Sequence, residues 1–219
     1  MKRLNLFLVF CICLAVSCAR QPESLRTGDL IFVGIPADYS LDDNSMDAVI
    51  ADATGTPDSL NLIHVAIAEV EGDQTWIIDA TIKYGVDRHP LDTFLTQFTL
   101  KDGSYPVFEV MRLKDDKVAE TAVERAKSFV GTSYDVAFLP DNGALYCTEL
   151  VQVSYLTDDG SRIFPSEPMN FKNAEGEYPL YWQQLFALIG QSIPQDIPGT
   201  NPQAMARDPQ LHSVNVALY

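Results

Sequence analysis

Cysteine is scarce in this chain of 219 residues: there are four, and three of them, Cys11, Cys13 and Cys18, lie in the first 18 residues. Cys147 stands alone in the rest and has no disulfide partner there. Close-spaced ligand pairs such as CxxC or HxxxH are missing, as are a glycine-rich phosphate loop and a GxSxG nucleophile elbow. These absences argue against a zinc site, phosphate-loop chemistry and a serine elbow, so no metal and no cofactor is expected. Basic residues are few, 15 Lys and Arg against 30 Asp and Glu, for a formal charge of −15. A chain so acidic lacks the cationic patches that nucleic acid or an anionic lipid surface would need. Histidine is rarer still, with only His64, His89 and His212.

What is present begins with an export signal at residues 1–18: Lys2 and Arg3, an apolar run from Leu4 to Val16, then small residues up to Cys18. The run is too short to span a membrane. The ending Leu14, Ala15, Val16, Ser17, Cys18 resembles a bacterial lipobox, in which the cysteine is lipidated and becomes the first mature residue. Residues 19–24 then read as a short tether, and 25–219 as one domain with 47% hydrophobic residues in the whole chain to supply its core. The expected product is exported, lipid-anchored through Cys18 to a bacterial membrane, facing the periplasm or cell surface, and monomeric. In an exported protein an unpaired thiol such as Cys147 is a flag for reactivity.

Residues 25–33 read as a Gly-Asp turn entering a strand, and 36–44 as a polar loop in which Tyr39, Ser40, Asp42 and Asp43 either line a site or are solvated. Ser45 is placed to cap a helix through Ala53. Runs 61–70 and 75–80 are β-rich and separated by Glu71, Gly72, Asp73 and Gln74, a hairpin signature. A short strand at 84–86, a helix or loop at 91–97, a strand at 105–113 and a packing helix at 115–130 follow. Leu150, Val151, Val153 and Leu156 recur at helical spacing after the turn-forming Asp141, Asn142 and Gly143, which places Cys147 in a first helical turn. Residues 161–177 read as loop, 180–188 as a helix, and 194–209 as an irregular tail.

At a helix start, unpaired N–H groups and the positive end of the dipole favour a thiolate, the form that attacks carbonyl carbon. A cysteine nucleophile also needs an imidazole, and the imidazole a polar group to orient it. His212 lies in the tail and His89 precedes Pro90 in an expected loop, so neither has an evident partner. His64 lies in an apolar strand, and Asp79 interrupts the run Trp76, Ile77, Ile78, Ala80. If the hairpin turn has two or four residues, His64 and Asp79 share a face, opposed directly or one rung apart. A buried carboxylate needs a partner, and His64 supplies one. A Cys147, His64, Asp79 triad is therefore expected. The same three side chains could in principle ligate zinc, but without the close-spaced pair that such sites use.

The segments LRTGDLIFV, SMDAVIADATG, HVAIAEV, WIIDA, GTSYDVAF, LYCTELVQVSY, YW and IPGTNP, in this order over about residues 25–205, resemble the YiiX-type permuted papain-like amidases of the NlpC-like cysteine peptidase superfamily. The resemblance implies an α+β fold, with an antiparallel sheet or partial barrel packed against the helix that carries the cysteine. It implies Cys147 as nucleophile, His64 as base and Asp79 as orienter, acting on an amide or ester carbonyl of a peptide or acyl substrate. Tyr146, Tyr134 and Tyr39 are the candidates for substrate or oxyanion contacts, with packing an equal role for Tyr146. Asp79 stands where glutamate is frequent in relatives, and Thr148 follows the cysteine where serine is common. On the same fold, acyl transfer or thioester cleavage is the alternative chemistry. A lipoprotein that only binds a ligand is the non-catalytic one.

Overall fold

The computed structural model describes residues 22–36, 39, 45–54 and 60–219. The expected signal at 1–18 with Cys18, the first part of the tether, and Ser40, Asp42 and Asp43 lie outside the described residues. In chain order the elements are β1 (Leu30–Ile35), α1 (Met46–Thr54), β2 (Asn61–Glu71), β3 (Gln74–Thr81), β4 (Gly85–Pro90), α2 (Leu91–Gln97), β5 (Val107–Leu113), α3 (Ala119–Ser128) and α4 (Cys147–Ser154). They continue as β6 (Glu167–Pro168), α5 (Leu180–Leu188), β7 (Pro198–Gly199), α6 (Pro202–Ala206) and β8 (Leu211–Val214). Six strands make one sheet in the order β4-β3-β2-β1-β5-β8, with every neighbouring pair antiparallel.

Strand β1 is buried along its whole length, which is why it reads LIFVGI with no polar alternation. Leu30 and Phe32 join Val65, Ile67 and Ile78 in a core shared with α3 and α4, through Val123, Leu150 and Val151. Ile31 and Val33 belong to a second core with Ala66, Ile77 and Val110, closed by Phe94 and Leu95 of α2. A third, aromatic cluster, Phe138, Tyr146, Phe171, Trp182 and Phe186, seats α5 beside the start of α4.

The hairpin β2–β3 turns on two residues, since Glu71 pairs with Gln74, and its register places Ile67 opposite Ile78. Carried along the strands, that register puts Asp79 one rung off direct opposition to His64 and on the same face. Opposite β1 the register of β2 slips: Val33 pairs with His64 but Gly34 with Leu62, so Ile63 is the extra residue of a bulge. Bulges bend a strand and redirect the side chains beside them, and this one immediately precedes His64.

The Gly-Asp turn before β1 ties the sheet to both helices. Gly28 has φ +84, and an added Cβ would come within 2.5 Å of the Ala119 Cβ, so only glycine lets α3 start so close. Its carbonyl accepts the Tyr155 hydroxyl from the end of α4 at 2.9 Å. Asp29, fully buried, accepts Nε and Nη2 of Arg112 on β5 at 2.6 and 2.8 Å. That guanidinium also donates to Glu23 and to the Ser24 carbonyl, so the first described residues are held against the sheet.

The strand expected at 84–86 is longer and includes His89, and the irregular tail contains β7 and α6 and leads into β8. Each difference is a strand or helix whose own residues are polar or Pro-containing and which neighbouring elements hold in place. Among the described residues no helix is long and apolar enough to cross a membrane.

Removing one partner of a buried ion pair strands the other charge. Arg112→Met is therefore expected to lower the unfolding free energy by about 3–5 kcal/mol, measured by urea denaturation.

Candidate active site

The segment before α4 is folded by its own polar residues. Asp135 accepts the backbone N–H of Ala137 and of Leu139, each at 2.8 Å, and Phe138 and Asp141 take positive φ. The chain enters α4 through Tyr146, which is extended and offers no side-chain cap. Glu149, three residues on, instead reaches back to the Tyr146 backbone, one half of a capping box. Burial, followed by the charge of Asp135, pushes the Glu149 carboxyl up to about 7. Thr148 is fixed from its side chain, whose hydroxyl donates to the Thr200 carbonyl at 2.9 Å.

Cys147 is thus the first residue of α4, a buried free thiol in a turn whose backbone N–H groups have no acceptor in the helix. Sequence spacing placed it there, and the helix begins where that spacing required.

His64 and Asp79 are both buried, and Nε2 of the ring lies 2.8 Å from Oδ2 of the carboxylate. The rings of Phe98 and Phe94 stand against the imidazole, with centroids 4.8 and 6.4 Å away. With Nε2 committed to Asp79, Nδ1 is the nitrogen left for the Cys147 thiol, which is both a hydrogen-bond and a charge partner of His64. Burial works against a charged ring. The charge of Cys147, the hydrogen bonds to Asp79 and Cys147, and the charge of Asp79 outweigh it and hold His64 up at about 10.

Cys147 opens on two cavities. One, of about 510 Å³ with open solvent included, is walled by Ile50, Phe138, Tyr146, Phe171 and Trp182. The other, about 1010 Å³ on the same measure, holds His64, Asp47, Lys83, Tyr84 and Phe98. Tyr134 lines both, with its hydroxyl 3.8 Å from the Met46 sulfur. The hydroxyl of Tyr146 accepts the Thr200 N–H at 3.3 Å and lies 3.6 Å from the Met169 sulfur, so this residue packs as well as lines. Tyr39 packs on the core closed by α2 and is on the wall of neither cavity.

His89 was expected in a loop without a partner, because the composition Asp87, Arg88, His89, Pro90 is unlike a strand. The structure places it in β4, paired with Ile77 and buried, with Nε2 3.9 Å from Oδ1 of Asp79. The run Val86 to Pro90 has no apolar alternation to mark it as a strand. His212 lies in β8, opposite Arg112. Among the described residues no three His, Cys, Asp or Glu side chains are grouped to hold a metal ion.

None of the curated proteins compared with the chain matches it. Among solved structures it is similar to the crystal structure of the metalloprotein yiiX from Escherichia coli O157:H7, with a TM-score of 0.66 and 23% identity over 90% of this chain and 98% of that one. That likeness establishes the fold, an α+β arrangement of the permuted papain-like kind with the cysteine helix against the antiparallel sheet. A family model matches residues 24–215, nearly everything from the tether to the end of β8, and by that match the chain belongs to the permuted papain-like amidase family YaeF/YiiX, C92.

Proposed function

We propose that the protein is a thiol hydrolase of amide bonds in which Cys147 is the nucleophile, His64 the general base and acid, and Asp79 the group that orients His64. The observation that carries this reading is the buried 2.8 Å contact of His64 with Asp79 beside the one free thiol among the described residues. Asp79 fixes the ring so that Nδ1 meets the sulfur, and the imidazolium beside it stabilises the thiolate. The thiolate adds to the amide carbonyl, and the backbone N–H groups at the start of α4 stabilise the oxyanion. His64 then gives its proton to the leaving amine, and water releases the acyl group from the thioester with His64 as base.

His64 lines only the wider cavity, so the leaving amine departs on that side. The substrate class that fits is a peptide or N-acyl compound presented at the cell envelope. The basic start, apolar run and Cys18 of the N-terminal segment support an exported, lipid-anchored location. Acyl transfer on the same site would differ only in the acceptor that resolves the thioester.

Chloroacetamide is expected to alkylate Cys147 rapidly, and His64→Ala to slow that reaction about 100-fold or more, read by mass spectrometry of the labelled peptide. Equal rates in the two proteins would sink the reading. The folded-state value of His64, about 10, lies above the ordinary 6.5. Charge on the ring therefore persists through neutral pH, and the stabilisation it lends is complete below about pH 6.5 and fades as pH rises toward 10. Ring nitrogen NMR shifts should report imidazolium at pH 8 in the wild type. In Cys147→Ala, where burial remains but the thiolate charge is gone, the ring should titrate lower.

A further inference from the structure

We infer that His89 is a positioning residue for the site, donating from Nε2 to the second oxygen of Asp79 and completing a chain Cys147, His64, Asp79, His89. The inference rests on the triad reading above and extends it by one residue. Asp79 is 1% exposed, and its Oδ2 is taken by His64, while Oδ1 has no hydrogen-bond partner among the described residues. Both ring nitrogens of His89 are also buried without one. An unpaired carboxylate oxygen in an apolar interior is destabilising, so the two orphaned groups have reason to meet.

The sheet brings them together from an unusual arrangement. Asp79 on β3 stands directly opposite Asp87 on β4, a like-charge pair that is destabilising on its own. His89, two residues along β4 on the same face, lies between the two carboxylates, with Nε2 3.9 Å from Asp79 Oδ1 and Nδ1 3.5 Å from Asp87 Oδ2. A carboxylate thus faces each ring nitrogen. Phe94 stacks on His89 at 6.4 Å and 19° and also stands 6.4 Å from His64, so a single ring of α2 backs both imidazoles.

A carboxylate held through one oxygen can rotate about its last torsion and carry its histidine with it. Held through both, its plane is set, and with it the direction in which His64 presents Nδ1 to the sulfur. The 3.9 Å separation is longer than a hydrogen bond, and the inferred bond requires it to close by about 1 Å, in keeping with the long catalytic contacts that unliganded structures often show.

The test uses the chloroacetamide alkylation rate of Cys147, which needs no knowledge of the substrate, in the full-length protein with His64→Ala as the reference. His89→Leu is expected to slow alkylation at least tenfold while His89→Gln, whose amide nitrogen reaches the place of Nε2, restores it to within about threefold. His89→Asn, which mimics Nδ1 instead, is expected to remain slow. Should His89→Leu not fold, the Gln and Asn pair decides, and equal rates in those two overturn the inference. A wild-type rate in His89→Leu with His64→Ala slow also overturns it and leaves the triad standing. A wild-type rate in His64→Ala removes the triad itself. In the unaltered protein the Nε2 proton of His89 should give an exchange-protected downfield resonance, and its absence would count against the proposal whatever the variants do.

Discussion

The carboxylate of Asp79 is the constraint around which the site is built. It lies in a strand whose neighbours are Ile77, Ile78 and Ala80, where water does not reach and where a lone negative charge would be intolerable. The sheet answers by placing imidazole within hydrogen-bond reach and by closing the face with the rings of α2. The cost of burying Asp79 is thereby converted into order. The imidazole cannot turn away without leaving a charge unpaired, so its free nitrogen stays aimed where the cysteine helix begins.

That helix is placed by equally local means. Tyr146 cannot cap it, and Glu149 bonds back to the Tyr146 backbone in its stead. Thr148 is pinned to Thr200, and the aromatic cluster around Phe138 and Trp182 braces the entering loop. At the other end, Tyr155 is anchored to the Gly28 turn, whose next residue, Asp29, is locked to Arg112. Both ends of α4 are therefore fixed relative to the strands that carry His64 and Asp79.

Much of this was legible in particular residues. The unpaired Cys147 ahead of a helical apolar pattern, and Ser45 as the cap of α1, whose hydroxyl accepts the Ala48 N–H at 3.2 Å, were read from short-range chemistry alone. The facing of His64 and Asp79 followed from the parity of a two-residue turn. His89 was not legible, because its strand is polar and ends in proline, and only its pairing with β3 makes it a strand at all. Tyr39, a loop residue with site-like neighbours in sequence, packs on the core closed by α2 and is on the wall of neither cavity.

The sequence by itself determined the periodic elements and the hairpin register that sets His64 and Asp79 on one face, because each depends on residues joined by short stretches of chain. Only the tertiary structure decided that α4 meets the bulged end of β2, that two cavities converge on Cys147, and that a second histidine stands behind Asp79. Those outcomes depend on which distant faces bury one another, and packing across a sheet leaves no trace in the local order of residues. The feature that began as a scarcity, one cysteine in residues 19–219, takes its surroundings from that packing.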